Sequence, residues 1–269
     1  MATAMATFAS SSYVIYHFLS KDSRIRFRKP AFNFQWTIIR NITTIGLSPF
    51  LMNLTAAGVA IFVNLVLKHQ GDALGIGDLA IGVYATVNSY ATFFIMFVLG
   101  LCHGMQPIVG YNFGAGKLKR VKDTLLLTIK VGMGIKTIGL ILALLIPTLM
   151  MRLFTTDIEF IEMGAHGLFF VFLLAPFVGF QAVTSNFYQS INKPALSITM
   201  SLCRQLLFFV PCLFFLSNHW GLNGVWYAVT VSDFLSVVVA IAIFIWQKNV
   251  FYPRYSRREG KGKVVTERL

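Results

Sequence analysis

The sequence predicts an all-α protein that crosses a membrane several times, a polytopic membrane protein. Three observations support this fold class. Of the 269 residues, 56% are hydrophobic and only 12% are charged, whereas a soluble globular domain carries about twice that charged fraction. The apolar residues form long runs, each near the roughly 20 residues that a helix needs to cross a bilayer core. The basic residues are concentrated between these runs and in the tail.

The chain divides into four predicted parts. Residues 1–20 look like a partial transmembrane helix. Residues 21–48 form a basic cytoplasmic loop followed by an interfacial helix. Residues 49–246 form a six-helix transmembrane bundle, and residues 247–269 form a basic cytoplasmic tail.

The interfacial helix is predicted from Phe34, Ile38, Ile42 and Ile45, which recur at helical spacing. A simple polar loop is the alternative. We expect the pair Gly46-Leu47 to end this helix, because Ser48-Pro49 reads as an N-cap followed by a proline in the first turn of the next helix.

The bundle contains six predicted spans of suitable length. They are approximately Pro49–Leu67, Leu79–Val109, Thr124–Met150, Gly164–Gln189, Leu196–Leu216 and Leu222–Trp246.

The formal net charge of +13 would also suit a nucleic-acid-binding protein, but the positions of the charges argue against nucleic acid. Basic clusters occupy alternate loops, at Lys21–Lys29, Lys117–Lys122 and Lys193, and the C-terminal tail. The positive-inside rule therefore predicts that these loops and the C-terminus are cytoplasmic, in a plasma (inner) membrane.

The segment Gly100–Arg120, GLCHGMQPIVGYNFGAGKLKR, marks the predicted boundary between the second span and a basic turn. Its three glycines, Gly110, Gly114 and Gly116, are expected to let the backbone bend sharply. A phosphate-binding P-loop does not fit, because the distance from Gly110 to Gly116 is one residue too long and Leu118 follows the lysine.

Polar side chains inside the predicted spans are candidate functional groups, because an unpaired polar group in lipid is costly. The candidate substrate-binding residues are Asn53, Asn88, Gln181 and Asn186. Hydrogen bonding between helices is an equally weighted alternative for these residues. Lys136 lies near the middle of its span, and the sequence offers no account of it beyond facing a cavity or a partner.

Arg204 and Asp233 are predicted to form a structural ion pair. At 1.5 Å per residue, each lies roughly 12 to 16 Å into its span from opposite surfaces. Across about 30 Å of hydrocarbon, their depths then differ by only a few ångströms. We expect the pair to tie the fifth and sixth spans together rather than to act in chemistry.

No arrangement typical of an enzyme, a cofactor site or a metal site is present in the sequence. The three cysteines lie in apolar stretches without metal-ligand spacing. Neither a Ser-His-Asp order nor an HExxH motif occurs. We therefore expect no enzymatic activity, no metal and no cofactor.

The segment GMQPIVGYNFGAGKLKRV is similar to one found in multidrug and toxic compound extrusion (MATE) transporters. The specific part of the resemblance comprises Gln106, Pro107, Gly110, Tyr111, Asn112 and Gly114. The stretches at Gly46–Leu67 and Gly221–Ser236 also resemble the family. The match is to the carboxy-terminal half only, one six-helix bundle of the twelve-helix fold.

This resemblance implies export of cationic, lipophilic drugs or metabolites by proton- or sodium-coupled antiport. The chain departs from the family because it contains one half, and because Pro49–Leu67 lacks the acidic residues that some members use to bind sodium. Three hypotheses about the chain remain. The chain is half of a transporter that needs a second half, a homodimeric carrier, or a truncated fragment or partner subunit that does not transport.

Overall fold

The computed structural model describes residues 2–19, 36–72 and 74–266, and within them every regular element is a helix. The α-helices are α1 (Ala2–Leu19), α2 (Trp36–Asp72), α3 (Gly77–Gly114), α4 (Leu118–Leu145), α5 (Pro147–Arg152), α6 (Ile158–Leu173), α7 (Ala175–Ser190), α8 (Pro194–Leu202) and α9 (Val210–Thr266), and a π-helix covers Cys203–Phe209. The predicted all-α class is confirmed. The predicted basic loop Lys21–Lys29 lies outside the described residues.

The chain forms two compact units, Met1–Gly46 and Leu47–Leu269. In the first unit, α1 makes the amino-terminal segment helical, as expected, and its described side chains are mostly exposed. The second unit contains the helical bundle and all three hydrophobic core clusters of the described residues. The tail beyond Gln247 continues α9 as a helix to Thr266.

Helix α2 contradicts the predicted boundary before the first span. It runs without a break from Trp36 to Asp72, so the helix end expected at Gly46-Leu47 and the N-cap expected at Ser48 are wrong. A glycine inside a helix costs only about 1 kcal/mol relative to alanine. The long apolar segments on both sides of Gly46 therefore outweigh this local stop signal.

Among the residues that the structure describes, four helical segments are long and apolar enough to cross a membrane: Phe50–Asp72, Gly77–Gly114, Leu118–Leu145 and Pro194–Gln247. Helices α6 and α7 meet this criterion together and are bent by 50° at their junction. The fourth segment contains Gly221, whose φ of 55° and ψ of −133° are not helical.

Gly221 divides this fourth segment into two spans. Arg204 and Asp233, on either side of it, are in direct contact. A straight helix would hold residues 29 positions apart about 43 Å from each other. The chain must therefore fold back at Gly221, and each of the six predicted spans corresponds to helix in the structure.

Three prolines explain the irregular parts of the spans. Ile146 leaves the helical conformation immediately before Pro147, as expected for a residue that precedes proline. The predicted span Thr124–Met150 is therefore interrupted there. Leu174 separates α6 from α7 two residues before Pro176. The π-helix ends just before Pro211, and its wider turn relieves the clash between a proline ring and the preceding turn.

Helix α4 lies at the centre of the bundle and packs against α3 and α7. Small residues permit this close approach. A Cβ atom added at Gly179 would lie 3.0 Å from the carbonyl oxygen of Gly132, and one added at Gly139 would lie 2.7 Å from the ring of Phe172. Contacts of this kind are typical of membrane helices, which pack through small residues rather than by excluding water.

Candidate functional site

The centre of the candidate site is an ion pair inside the bundle. Arg204 Nε donates to Asp233 Oδ1 at 2.8 Å. The π-helix provides the arginine, and the limb of α9 that follows Gly221 provides the aspartate. The Asp233 side chain is 5% exposed and that of Arg204 is 39% exposed. The structure therefore contains the ion pair that was expected from the depths of these residues.

Lys136, on α4, is a further basic side chain within the bundle. It is 4% exposed, and its Nζ donates to the backbone oxygen of Ala91 on α3 at 3.3 Å. Its charge interacts with those of both Arg204 and Asp233. The bundle therefore brings together basic and acidic side chains from three separate spans. The sequence analysis paired Arg204 with Asp233 but did not place Lys136 near them. Its depth near the middle of α4 was the available signal.

Helix α3 contributes polar groups to the same region. Tyr84 interacts electrostatically with Arg204 and Asp233, and its ring centroid lies 5.8 Å from that of Trp226. Asn88 follows Tyr84 by one helical turn, on the same face, and its side chain is exposed. We call Lys136, Arg204 and Asp233 the charged cluster.

The four candidate substrate-binding residues do not converge on one cavity. Asn53 and Asn88 are exposed on α2 and α3. Gln181 is buried; its Nε2 donates to Met200 O at 3.3 Å, and its Oε1 accepts from Ser236 at 3.4 Å. Gln181 thus links α7 to α8 and α9, as the interhelical alternative requires. Its role in substrate binding, like that of the others, stays a prediction.

Asn186 connects the family motif to α7. Its Nδ2 donates to the Ala182 oxygen of its own helix at 2.9 Å, and its Oδ1 accepts from Gln106 Nε2 at 3.4 Å. A Cβ atom added at Gly110 would lie 3.8 Å from the backbone oxygen of Ser190. These motif residues therefore lie where α3 and α7 pack together.

The rest of the motif forms the end of α3. Helix α3 continues through Pro107 and Gly110 to Gly114, so the sharp bends expected at Gly110 and Gly114 are wrong; only Gly116, with φ of 73°, has the predicted conformational freedom. Tyr111 is exposed. Asn112 is buried, its Nδ2 donates to Ile108 O at 2.8 Å, and its Oδ1 has no partner among the described residues.

Within the described residues, no group of His, Cys, Asp and Glu side chains has the arrangement of a metal site. A cleft of about 360 Å³ lies between α5 and α6, lined by residues that include Arg152 and Glu162. None of the candidate substrate-binding residues or charged-cluster residues lines this cleft.

Comparison with known proteins agrees with this architecture. The MatE family model matches residues 50–214. The chain is 25% identical over 250 residues to the multidrug export protein MepA of Staphylococcus aureus strain MSSA476, and 21% identical over 245 residues to MepA of Staphylococcus saprophyticus. Each alignment covers 90% of this chain and 52% of the relative. The chain thus spans about half the length of the curated relatives it matches.

Solved structures give the same result. The MATE multidrug transporter DinF-BH matches with a TM-score of 0.80 and 30% identity, over 93% of this chain and 55% of that protein. A MATE transporter in complex with MaL6 matches the fold with a TM-score of 0.82 at 19% identity, over 95% of this chain and 56% of the other. These relatives are transporters. The chain is an integral membrane protein that belongs to the MatE family.

Proposed function

We propose that this chain forms one six-helix half of a MATE-type secondary transporter, which exports cationic, lipophilic compounds by antiport with protons or sodium ions. The observation that supports this most directly is the extent of the family match. One compact bundle aligns along nearly its whole length with about half of a multidrug exporter. An alternating-access transporter needs two bodies that move against each other, and this bundle supplies one.

The exposed polar groups of the bundle support the need for a second half. Asn53, Asn88 and Arg204 all have exposed or part-exposed side chains within membrane-spanning segments. Polar groups facing hydrocarbon are unfavourable. A second bundle that covered these groups would replace hydrocarbon with polar or hydrated surroundings. The second bundle is a separately encoded amino-terminal half in this proposal, and an identical copy is the alternative.

Dye transport tests the proposal. The chain is expressed in cells that lack their own exporters, with and without a candidate amino-terminal half, and accumulation of a fluorescent cationic dye is measured. We expect extrusion that depends on an ion gradient only when both halves are present. Extrusion by this chain alone would refute the half-transporter proposal in favour of a homodimer. No extrusion with any candidate half would favour a fragment that does not transport.

We also propose a plasma-membrane location with a cytoplasmic C-terminus, supported by the alternation of basic loops. A reporter that is active only in the cytoplasm should function when fused after Lys119 or Lys248, and should be inactive after Gly71 or Asn218. Activity after Asn218 would contradict this orientation, because Asn218 lies near the turn at Gly221 between the last two spans.

A further inference from the structure

Arg204 uses only a small part of its hydrogen-bonding capacity. The only hydrogen bond of its side chain in the described part of the chain runs from Nε to Asp233, so its two terminal amino groups have no hydrogen-bond acceptor there. The side chain is 39% exposed, although the residue lies well inside a span. A guanidinium group offers donors in a planar fork that matches a carboxylate. Here the bond to Asp233 uses Nε and leaves the donors of the terminal amino groups available.

Basic side chains outnumber acidic ones around Arg204. Lys136 and Arg204 are basic, and Asp233 is the carboxylate that interacts with both. The other acidic residues between positions 47 and 247 lie at helix ends or within the first two turns: Asp72, Asp78, Asp123, Asp157, Glu159 and Glu162. A second copy of this bundle would bring the same excess of basic side chains at this depth. This excess favours an anion that comes from elsewhere.

The local backbone is consistent with a ligand site. Arg204 is the second residue of the π-helix. Such turns are rare and occur frequently at functional sites, because they displace a side chain from its α-helical direction. Tyr84 and the exposed Asn88 supply neutral polar groups on the neighbouring helix α3. The region thus combines an accessible guanidinium, a buried lysine and nearby polar side chains.

We propose that the free face of Arg204 binds a carboxylate anion. The carboxylate has two possible sources: an anionic or zwitterionic solute, or an acidic side chain of a covering half. The second source rests on the proposed function, whereas the first does not. In either case the guanidinium donates from its terminal amino groups to the ligand oxygens, while Nε retains Asp233. Charge-assisted bonds of this kind are the stronger class of hydrogen bond.

The first experiment uses the purified full chain in detergent and requires no transport. Its probe is 4-fluorobenzoate, and ¹⁹F line broadening during a titration gives the dissociation constant. The matched cation 4-fluorobenzylammonium has the same ring and controls for partitioning into micelles. We expect saturable binding of the carboxylate that unlabelled benzoate displaces, and no saturable binding of the cation. Absence of saturable carboxylate binding would refute the proposal.

Variants locate the site. Arg204→Gln should weaken 4-fluorobenzoate binding by at least about tenfold, because it removes the charged donors. Arg204→Lys should weaken it as well, because a lysine that pairs with Asp233 lacks the planar fork. Asp233→Asn should strengthen binding, because it removes the competing carboxylate. Lys130→Met changes an exposed lysine on the same helix as Lys136 and should have no effect.

Each outcome of this series is decisive. Equal binding by the unmodified chain and both Arg204 variants would overturn the proposal, as would weaker binding after Asp233→Asn. Size-exclusion chromatography identifies any variant that is not folded, and Arg204→Lys, which keeps the charge, preserves the test if Arg204→Gln does not fold.

Once a half that restores dye extrusion is known, the titration is repeated on the complex to identify the source of the carboxylate. Retained binding would identify a solute, and loss of binding would identify a side chain of the covering half. Because binding is measured first on the chain alone, its failure is distinguishable from failure of the dye-transport experiment.

Discussion

Removing the two partners of the Arg204–Asp233 pair should destabilise the bundle by unequal amounts. Arg204→Gln leaves the carboxylate of Asp233, which is only 5% exposed, without its hydrogen-bonded cation. Removing one partner of a buried ion pair typically costs 3 to 5 kcal/mol, and we expect about 3 kcal/mol here because Lys136 still interacts with the aspartate. Asp233→Asn instead leaves a cation that is 39% exposed, so we expect only about 1–2 kcal/mol.

The double variant tests whether these costs arise from the pair itself. With both charges removed, the loss should be smaller than the sum of the single losses by about 1–2 kcal/mol, within the usual range for residues in contact. The free energy of unfolding is measured by raising the fraction of SDS in mixed micelles and recording far-ultraviolet circular dichroism. Strictly additive losses, or a larger loss for Asp233→Asn than for Arg204→Gln, would show that the reasoning from burial is wrong.

Three further substitutions can be measured by the same unfolding titration. Gly167→Ala should destabilise the bundle by about 1–3 kcal/mol, because its new Cβ would lie 2.7 Å from the ring of Trp226. The control Gly134→Ala meets nothing within 4 Å and should be neutral or slightly stabilising. Equal effects of the two substitutions would contradict the packing. Gly221→Ala should lower the free energy of unfolding by about 1–3 kcal/mol, because the turn needs φ of 55° and ψ of −133°. An unchanged free energy of unfolding would mean that this turn is not required. Tyr90→Phe should cost about 1 kcal/mol, because it removes a 2.6 Å hydrogen bond to a backbone oxygen of α5; no loss would mean that water replaces the bond.

The sequence predicts where the long apolar helical segments lie, because length and hydropathy determine which segments can cross a bilayer. It also predicts the Arg204–Asp233 contact, since depth along two neighbouring spans is sufficient to bring such residues to one level. Local stop signals were less informative. Gly46 and Gly110 lie inside helices, because the cost of one glycine is small compared with the continuity of an apolar span in lipid.

The composition of the charged cluster could not be predicted in full. Lys136 stood out by its depth, but its proximity to Arg204 depends on how α4 rotates and packs against α3 and α7, and hydropathy does not specify rotation about a helix axis. The predicted substrate residues illustrate the same limit. Gln181 and Asn88 both lie within spans, yet the first is buried in interhelical hydrogen bonds and the second is exposed.

The π-helix at Cys203–Phe209 has a consequence for insertions and deletions. A π-helical turn accommodates more residues than an α-helical turn over nearly the same rise. Loss of a single residue there can therefore convert the turn to regular α-helix. The side chains of α8 and those of the following part of α9 would then keep nearly the same directions around the helix axis. A deletion elsewhere in this span would rotate one of these two sets of side chains by about 100°. The fifth span should thus shorten most readily at the turn that holds Arg204, and the residue whose direction would change is the arginine itself.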